Sequence, residues 1–236
     1  YIDRYGGRWT GGLRRLLDQG AVFQRAAIPY LATVTCVGHA TISTGAFPRS
    51  HGIVANLWWD RTGAKAVTCT EDPAATLLTY GKGSPSGGES PLRLNLPTFA
   101  DELRVQASIP PKIVSLSLKP RSAIMLAGHG GDVVLWSVNP QAWASSTAFA
   151  SVASPAVAEM VKARLPEAAL GRVWERQLAP DAYLFDDEAA DERPAAGWTR
   201  AFPHPLRGEK GEADASFYAQ WAASPYADEA LGAMAA

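Results

Sequence analysis

The sequence predicts a layered α/β fold with a mostly parallel central sheet. Segments with strand-like and helix-like patterns alternate along residues 1–138, as they do in folds built from strand–helix–strand units. The largely apolar run Lys112–Leu118 lies between prolines and is typical of a strand buried in a parallel sheet. With 236 residues and 47% hydrophobic content, the chain is also long enough to bury a core.

The first part of the chain is predicted to run helix, strand, helix and then two extended segments. The bounds follow from helical spacing of apolar residues, from glycine at helix ends and from a turn at Thr62 and Gly63. In order, we predict a helix over Trp9–Gly20, a strand over Ala21–Ile28, a helix over Thr35–Thr44 that ends at Gly45, and extended segments over Ile53–Asp60 and Lys65–Thr70.

The second part begins with Gly81–Pro91, whose Gly, Ser and Pro content predicts a surface loop. The elements predicted after it are a helix over Pro97–Gln106 with Pro97 at its start, the strand Lys112–Leu118, a helix over Pro120–Leu126, a strand over Val133–Val138 and a helix over Pro155–Leu165. Residues 172–205 show no clear period, and the acidic run Asp186–Arg193 is interpreted as a solvated loop. The C-terminal third is therefore predicted to be an irregular, cap-like segment.

The overall composition excludes some kinds of partner and leaves the redox environment open. A net charge of −1 and a pI near 6.5 provide no long-range attraction for nucleic acid or an anionic membrane. No apolar run approaches the roughly 20 residues that a membrane-spanning helix needs. The cysteines Cys36 and Cys69 either pair or stay free, and two are too few to establish an oxidising compartment.

The segment Thr35–Asp60 carries the most informative motif. It reads Thr35-Cys-Val-Gly-His39, then Thr44-Gly-Ala-Phe-Pro-Arg-Ser-His-Gly-Ile53, then Asn56 and Trp59-Asp60. This pattern resembles the nucleophile region of the alkaline phosphatase superfamily, in its branch of type I phosphodiesterases, nucleotide pyrophosphatases and threonine-nucleophile alkaline phosphatases. The resemblance is closest to the phosphate-irrepressible alkaline phosphatases. It implies a three-layer α/β/α sandwich.

Thr35 is the candidate nucleophile. A free threonine hydroxyl is scarcely ionised at neutral pH, but a bound divalent cation and the N-terminus of a helix both favour its alkoxide. On position alone the favoured interpretation of Thr35 is a simple helix cap, which is the commonest role of a threonine before a helix. The resemblance implies the catalytic role and a direct contact with a metal ion.

Asn56 is the candidate donor to the phosphoryl group. Its amide can donate hydrogen bonds to a phosphoryl oxygen whose charge changes in the transition state, and its ordinary alternative is a turn residue. In the family that the chain resembles, the asparagine at this position contacts the phosphoryl oxygen.

Lys119 and Arg121 lie directly after the strand Lys112–Leu118, within Ser117-Leu-Lys-Pro-Arg-Ser-Ala123 and ahead of Ala127-Gly-His129. Spacing alone is compatible with an ordinary charged loop. The pattern, however, resembles the one that marks the phosphomonoesterase members of the superfamily. The resemblance implies that both cations bind the phosphoryl oxygens of a dianionic monoester, where Lys acts as a point charge and Arg as a fork.

The histidines do not form a metal-binding pattern, since no HxH or HxxxH spacing occurs. We interpret His39 and His51 as hydrogen-bonding scaffold for the nucleophile region. The sulfatase signature C-x-P-x-R is absent at Cys36, which disfavours a formylglycine sulfatase.

The resemblance implies two Zn²⁺ ions in the full-length enzyme, and among its metal-contacting residues only Thr35 is present here. The chain also starts at Tyr1 without an initiator Met, so we expect an internal fragment that binds no zinc by itself. Residues 1–140 are assigned to the N-terminal part of the catalytic domain and 141–236 to a looser continuation that stops before the distal metal motif. The resemblance also implies a periplasmic or secreted parent.

The function expected from these residues is hydrolysis of small phosphate monoesters through a phosphothreonine intermediate. Two alternatives stay open. One is a phosphodiesterase or nucleotide pyrophosphatase of the same superfamily. The other is a catalytically inactive fragment without zinc ligands. We expect Thr35, Asn56, Lys119 and Arg121 to meet at the C-terminal edge of the sheet, where α/β folds bind their ligands.

Overall fold

The computed structural model describes residues 1–82 and 87–236, which divide into two compact units, residues 1–33 and 34–236. The first unit contains helix α1 (Ile2–Tyr5), a 3-10 turn (Gly6–Arg8) and helix α2 (Gly12–Gln19). Helix α2 confirms the helix predicted over Trp9–Gly20 but begins after Gly11. It is supported by an ion pair between Arg14 and Asp18, one turn apart.

The strand predicted over Ala21–Ile28 is wrong, since this segment holds a turn at Gln24 and Arg25 and no strand. Its side chains are exposed, and no strand of the described residues pairs with it. Local β propensity was not enough here, because a strand needs a partner for its backbone groups and a core for one face.

The second unit contains the remaining elements. In chain order they are α3 (Thr35–Thr44), α4 (Pro48–His51), β1 (Leu57–Asp60), β2 (Lys65–Thr68), β3 (Leu77–Gly81), α5 (Phe99–Gln106), β4 (Val114–Ser117), α6 (Pro120–Ala127), β5 (Val133–Asn139), β6 (Ala142–Ser146), α7 (Pro155–Lys162), β7 (Val173–Trp174), β8 (His204–Pro205), α8 (Ala215–Ala222) and α9 (Pro225–Ala235). Short 3-10 turns occupy Pro166–Ala169 and Pro180–Ala182. Most predicted elements of this unit are confirmed, with ends shifted by a few residues.

The central sheet has the strand order β3-β6-β5-β4. Strands β4 and β5 are parallel, whereas β5–β6 and β3–β6 are antiparallel. The α/β class is confirmed, but the described sheet is mixed rather than mostly parallel. The physical reason is the two-residue connection Pro140-Gln141, which is too short for a crossover and so joins β5 and β6 as a hairpin.

Helices cover both faces of this sheet, which confirms the three-layer arrangement. Ser115 Oγ on β4 donates to the carbonyl of Ala123 on α6 at 2.8 Å, so α6 lies on the face to which Ser115 points. The neighbouring Leu116 points to the other face because side chains alternate along a strand. There it joins a core with α7 and α9, formed by Tyr80, Leu135, Trp143, Val157, Val161, Leu231 and Met234.

Strand β4 is parallel to β5 as predicted, but it is an edge strand rather than a buried one. Val114 is 58% exposed, and β4 has a neighbour on one side only among the strands that the structure describes. Helix α6 then returns along the sheet toward β5. The turn from β4 into α6 therefore displays Lys119 and Arg121 at the edge where β4 ends.

Helix α5 begins two residues later than predicted. Thr98 is its N-cap, and the Thr98 hydroxyl accepts from the backbone N–H of Asp101, whose carboxylate accepts from that of Thr98. This reciprocal pair fixes the start of the helix at Phe99, after Pro97. Within the predicted loop Gly81–Pro91, residues 83–86 lie outside the described part of the chain.

A second core lies in the C-terminal part, where Leu206 and Phe217 are fully buried beside Ala169, Trp221 and Ala227. Between residues 172 and 205 the described regular structure consists of the two-residue strands β7 and β8 and one 3-10 turn. This segment is otherwise irregular, as its lack of a period predicted. Strand β6 shows that the central sheet continues past residue 140. None of the helices in the described ranges is long and apolar enough to span a bilayer.

Candidate active site

Thr35 is the first helical residue of α3, so the predicted helix Thr35–Thr44 is confirmed at both ends. Val34 occupies the N-cap position with extended backbone, and no side chain caps the helix. Gly45 ends it in the left-handed conformation at φ 65°. Thr35 is therefore not the N-cap, and the simple capping role left open by the sequence does not apply. Its side chain lies in the first turn, where backbone N–H groups favour an anion.

Asn56 is joined directly to this first turn. Its Oδ1 accepts a hydrogen bond from the backbone N–H of Cys36 at 2.8 Å, and its carbonyl accepts from Cys69 N–H at 3.1 Å. Because a backbone N–H can only donate, the contact with Cys36 fixes which side of the amide is oxygen. The Nδ2 group is thus the half of the side chain available to donate to an acceptor beside Thr35.

A disulfide between Cys36 and Cys69 decides the question that the sequence left open. The Cα atoms are 6.6 Å apart, and 33 residues separate the two cysteines in sequence. Cys69 directly follows β2, so the bond ties the start of α3 to the β1–β2 hairpin. The residue next to Thr35 is held by both a covalent bond and the hydrogen bond to Asn56.

His39 and His51 support the helix, as predicted. His39 Nδ1 donates to the carbonyl of Thr35 at 2.8 Å. Fully buried His51 accepts from Ile53 N–H at Nδ1 (3.1 Å), so its Nε2–H donates to Thr41 Oγ1 (3.1 Å). Burial lowers the pKa of His51, which keeps the ring neutral in this role.

Lys119 and Arg121 lie on a helix that packs against α3. Lys119 is the N-cap residue of α6, and its backbone N–H donates to Ser117 Oγ at 3.2 Å. The Lys119 side chain is exposed, and Arg121 is half-buried in the first turn. The structure thus brings two pairs of predicted site residues onto neighbouring elements. One pair is Thr35 and Asn56, and the other is Lys119 and Arg121. That all four side chains contact one phosphoryl group stays a prediction.

Glu89 was missed by the sequence analysis. Glu89 is half-buried. Burial raises the pKa of its carboxyl, whereas a hydrogen bond from Thr70 and the positive charge of Arg121 lower this pKa. Thr70 directly follows Cys69 of the disulfide. In the sequence Glu89 stands inside a Gly- and Ser-rich segment, where no period marks it as facing the interior.

The residues that the structure describes do not form a metal site. In the ranges 1–82 and 87–236, no three His, Cys, Asp or Glu side chains come together as metal ligands would. A catalytic zinc usually needs three protein ligands and one open position. The described residues therefore lack a donor set for the implied zinc ions, and the roles of Thr35, Asn56, Lys119 and Arg121 stay predictions.

Comparison with known proteins places this geometry in context. Residues 1–194 match the family described as Type I phosphodiesterase / nucleotide pyrophosphatase. Alkaline phosphatase PhoV of Synechococcus elongatus is 31% identical over 211 residues, which cover 86% of this chain and 38% of that protein. Alkaline phosphatase PafA of Elizabethkingia meningoseptica is 38% identical over 137 residues, covering 58% of this chain and 24% of PafA.

The fold is also similar to that of solved structures. The crystal structure of wild-type alkaline phosphatase PafA superimposes with a TM-score of 0.77 at 29% identity, covering 86% of this chain and 40% of that one. The chain thus spans well under half the length of these relatives.

Proposed function

The chain belongs to the type I phosphodiesterase / nucleotide pyrophosphatase family of the alkaline phosphatase superfamily, and we propose that the whole protein hydrolyses phosphate monoesters through a phosphothreonine formed at Thr35. The observation that carries this proposal is the hydrogen bond from Cys36 N–H to Asn56 Oδ1 at 2.8 Å. It orients an amide donor beside a threonine that opens a helix. This contact supports a proposal in which Thr35 is the nucleophile and Asn56 is the donor for the developing charge.

The proposed reaction has two displacements at phosphorus. In the first, the Thr35 hydroxyl gives up its proton to solvent and Oγ1 bonds to phosphorus while the ester P–O bond breaks, and the leaving group departs with its oxygen and takes up a proton from solvent. In the second, water attacks the phosphothreonine and releases phosphate and free Thr35. Asn56 Nδ2 donates to a phosphoryl oxygen in both steps, which stabilises the charge that is redistributed there.

Lys119 and Arg121 favour a monoester over a diester in this proposal. A monoester phosphoryl group is dianionic, so two cations stabilise it strongly. A diester is monoanionic and carries a second organic group. Lys119 offers a compact charge at the N-terminus of α6, and Arg121 offers a planar fork for paired oxygens. The packing of α6 on α3 supports a shared phosphate site.

We also propose that the whole protein uses two Zn²⁺ ions. When bound, they would lower the pKa of the threonine hydroxyl and stabilise the attacking and leaving oxygens. Residues 1–82 and 87–236 bring no three candidate ligands together, so in this proposal the ligands other than Thr35 come from parts of the protein outside these 236 residues. A periplasmic or secreted location is proposed for the parent, and the Cys36–Cys69 disulfide supports an oxidising compartment.

The second candidate is a phosphodiesterase or nucleotide pyrophosphatase, which the printed family description includes. Lys119 and Arg121, which follow β4, disfavour this candidate. They leave less space for the second organic group of a diester, and they stabilise its single negative charge less than the double charge of a monoester. The remaining alternative is that this chain, taken alone, is catalytically inactive.

The test is to trap the intermediate in the full-length protein. After acid quenching of turnover with an aryl phosphate, mass spectrometry of the peptide that contains Thr35 should show one added phosphoryl group. Thr35→Ala should lack both the adduct and turnover, whereas Thr62→Ala, in the exposed β1–β2 turn, should keep both. Turnover by Thr35→Ala, or an adduct on another residue, contradicts the proposal.

A further inference from the structure

Four aromatic rings meet where β7 pairs with β8. Trp174 and His204 are opposite each other in this two-stranded sheet, and Trp198 and Phe202 lie in the segment that leads into β8. The His204 imidazole stacks on the Trp198 indole, with 4.6 Å between the ring centroids and 13° between the planes. Trp174 meets Phe202 edge-on at 5.0 Å. Stacked and edge-on contacts at these distances are favourable, so they hold the rings in defined orientations.

The four rings line a surface pocket of about 230 Å³, called the aromatic pocket below. Sites for drug-sized ligands measure roughly 300–1,000 Å³, so this pocket suits a single ring system. Trp174, Trp198 and Phe202 are half-buried, and part of each ring is still accessible. Trp198 Nε1 donates to the Pro205 carbonyl at 2.7 Å. The one polar group of this indole is thereby satisfied, and its apolar surface is what remains for a ligand.

His204 distinguishes the aromatic pocket from an ordinary apolar cluster. The residue is 6% exposed, and its Nδ1 is buried without a hydrogen-bond partner among the residues that the structure describes. Burial lowers the pKa of His204, although the charges of Asp187 and Glu192 act in the opposite direction, so the ring is neutral at pH 7. A buried polar atom without a partner costs free energy, and a phenyl ring would fill the same space without that cost. The imidazole therefore indicates a role beyond packing.

Two arginines give the aromatic pocket its charge. Arg193 and Arg200 line it, are exposed, and form no ion pair within the described part of the chain. Glu192 also lines the pocket, so two positive charges and one negative charge leave a net charge of +1 while His204 is neutral. A guanidinium binds the paired oxygens of a carboxylate as a planar fork. The lining therefore combines aromatic surface with groups that favour an anion.

We propose that the aromatic pocket binds a small aromatic anion, in which one planar ring system carries a carboxylate or a related oxyanion. The ring packs against Trp174, Trp198 and Phe202, and the anionic group is bound by Arg193 and Arg200. The arginines disfavour a cationic ligand, and an aliphatic acid would lack the ring contacts. The proposal concerns binding alone and does not rest on the function proposed above.

The test is the binding of benzoate to the full-length protein, with the Kd measured by saturation-transfer NMR. Benzyl alcohol keeps the ring without the charge, and cyclohexanecarboxylate keeps the charge without the aromatic ring. Benzoate should bind about tenfold more tightly than benzyl alcohol, the effect of one hydrogen bond to a charged group. It should bind about threefold more tightly than cyclohexanecarboxylate, the effect of one aromatic pair.

Variants place the probe in the aromatic pocket. Arg193→Gln combined with Arg200→Gln should weaken benzoate binding about tenfold and leave benzyl alcohol binding unchanged. Arg207→Gln is the matched control, since Arg207 is an exposed arginine just after β8 that does not line the pocket. It should change neither Kd. Trp174→Leu should weaken both probes, and a thermal melt checks that it folds. If it does not fold, the arginine variants still decide the question.

Three outcomes overturn the proposal. Absence of benzoate binding would show that the pocket is closed in the full-length protein. Equal affinity for the three probes would show that ring and charge are not recognised together. An affinity for benzoate that is unchanged in the double arginine variant would place the probe at another site. Each of these outcomes leaves the monoesterase proposal intact, because turnover is not measured.

Discussion

Asn56 Oδ1 accepts a hydrogen bond from the backbone N–H of Cys36 at 2.8 Å. This one contact joins a loop residue to the helix turn that begins at Thr35, across 20 positions of sequence. It also assigns the orientation of the amide, because the oxygen must face the N–H. The Nδ2 group is therefore the half of the amide that can donate to an acceptor, and its removal gives the first prediction.

In the full-length protein, Asn56→Asp should lower kcat/KM for an aryl phosphate by about 10²-fold, the usual effect of losing one donor to a developing charge. Aspartate keeps the acceptor for Cys36 N–H and removes only the Nδ2 donor, while adding a negative charge beside the phosphate. Asn56→Ala removes both contacts and should also lower the melting temperature. Steady-state kinetics and thermal melts check this, and full activity in Asn56→Asp would contradict the donor role.

Removal of Lys119 and Arg121 together should erode the preference for monoesters. The cations stabilise the dianionic group more than the monoanionic one, so the monoester rate should fall at least tenfold more than the diester rate, a difference of about 1.4 kcal/mol. The measurement compares kcat/KM for an aryl monoester and its methyl-capped diester. Lys112→Ala, a cation ahead of β4, is the control, and an unchanged ratio in the double variant would show that another element discriminates.

Breaking the Cys36–Cys69 disulfide should destabilise the protein. A loop of about this length contributes roughly 3 to 4 kcal/mol when closed, by the chain-entropy estimate. We expect Cys36→Ser with Cys69→Ser to lower the melting temperature and to reduce turnover in the full-length protein, because the bond fixes the helix start beside Thr35. Thermal melts with and without reductant check it. The double variant should no longer respond to reductant, and a wild type equally indifferent to it would contradict the role.

His51 should make stability fall with acidification. Its folded-state pKa is lowered by burial, so below about pH 6.5 the unfolded chain takes up a proton that the folded chain does not. Stability is then lost as pH falls from about 6.5 toward the folded pKa. We expect the stability advantage of wild type over His51→Gln, measured by urea denaturation at pH 7.5 and 5.0, to shrink at the lower pH. A constant advantage would contradict a neutral buried ring.

The 236-residue chain by itself should bind no catalytic zinc pair and should show no phosphatase turnover. Two zinc ions need about six protein ligands, and the described residues bring no three candidate ligands together. Zinc analysis after dialysis against the metal, together with an aryl phosphate assay, checks this. About two tightly bound zinc ions per chain with turnover would mean that the ligand set is present after all.

Several features of the fold and site were predictable because their causes are local. Helix α3 was predicted at both ends, since the pattern after Val34 and the glycine at position 45 act within a few residues. The turn around Thr62 and the start of α6 at Pro120 follow from Gly and Pro in the same way. The motif around Thr35 and Asn56 needed no structure to be found, because its residues lie in one short segment.

The failures share a different cause. Ala21–Ile28 has strand propensity, but whether a strand forms depends on a partner that no local pattern reveals. The mixed sheet follows from β6, a strand that the sequence analysis did not predict. It forms a hairpin with β5 and pairs with β3, which is far from it in sequence. Helix α5 was predicted to start at Pro97, because proline is common in the first turn of a helix. The Thr98 capping box instead makes Phe99 the first helical residue.

The sequence by itself determined the α/β class, the helix that carries Thr35 and the resemblance that leads to its family. The tertiary structure alone decided that Cys36 bonds Cys69, that Asn56 Oδ1 faces the first turn of α3, and that one carboxylate oxygen of Glu89 is buried. The physical reason is the distance along the chain over which each kind of interaction acts. Propensity and motif spacing act within a few residues, whereas disulfide pairing, burial and charge contacts depend on segments that only folding brings together.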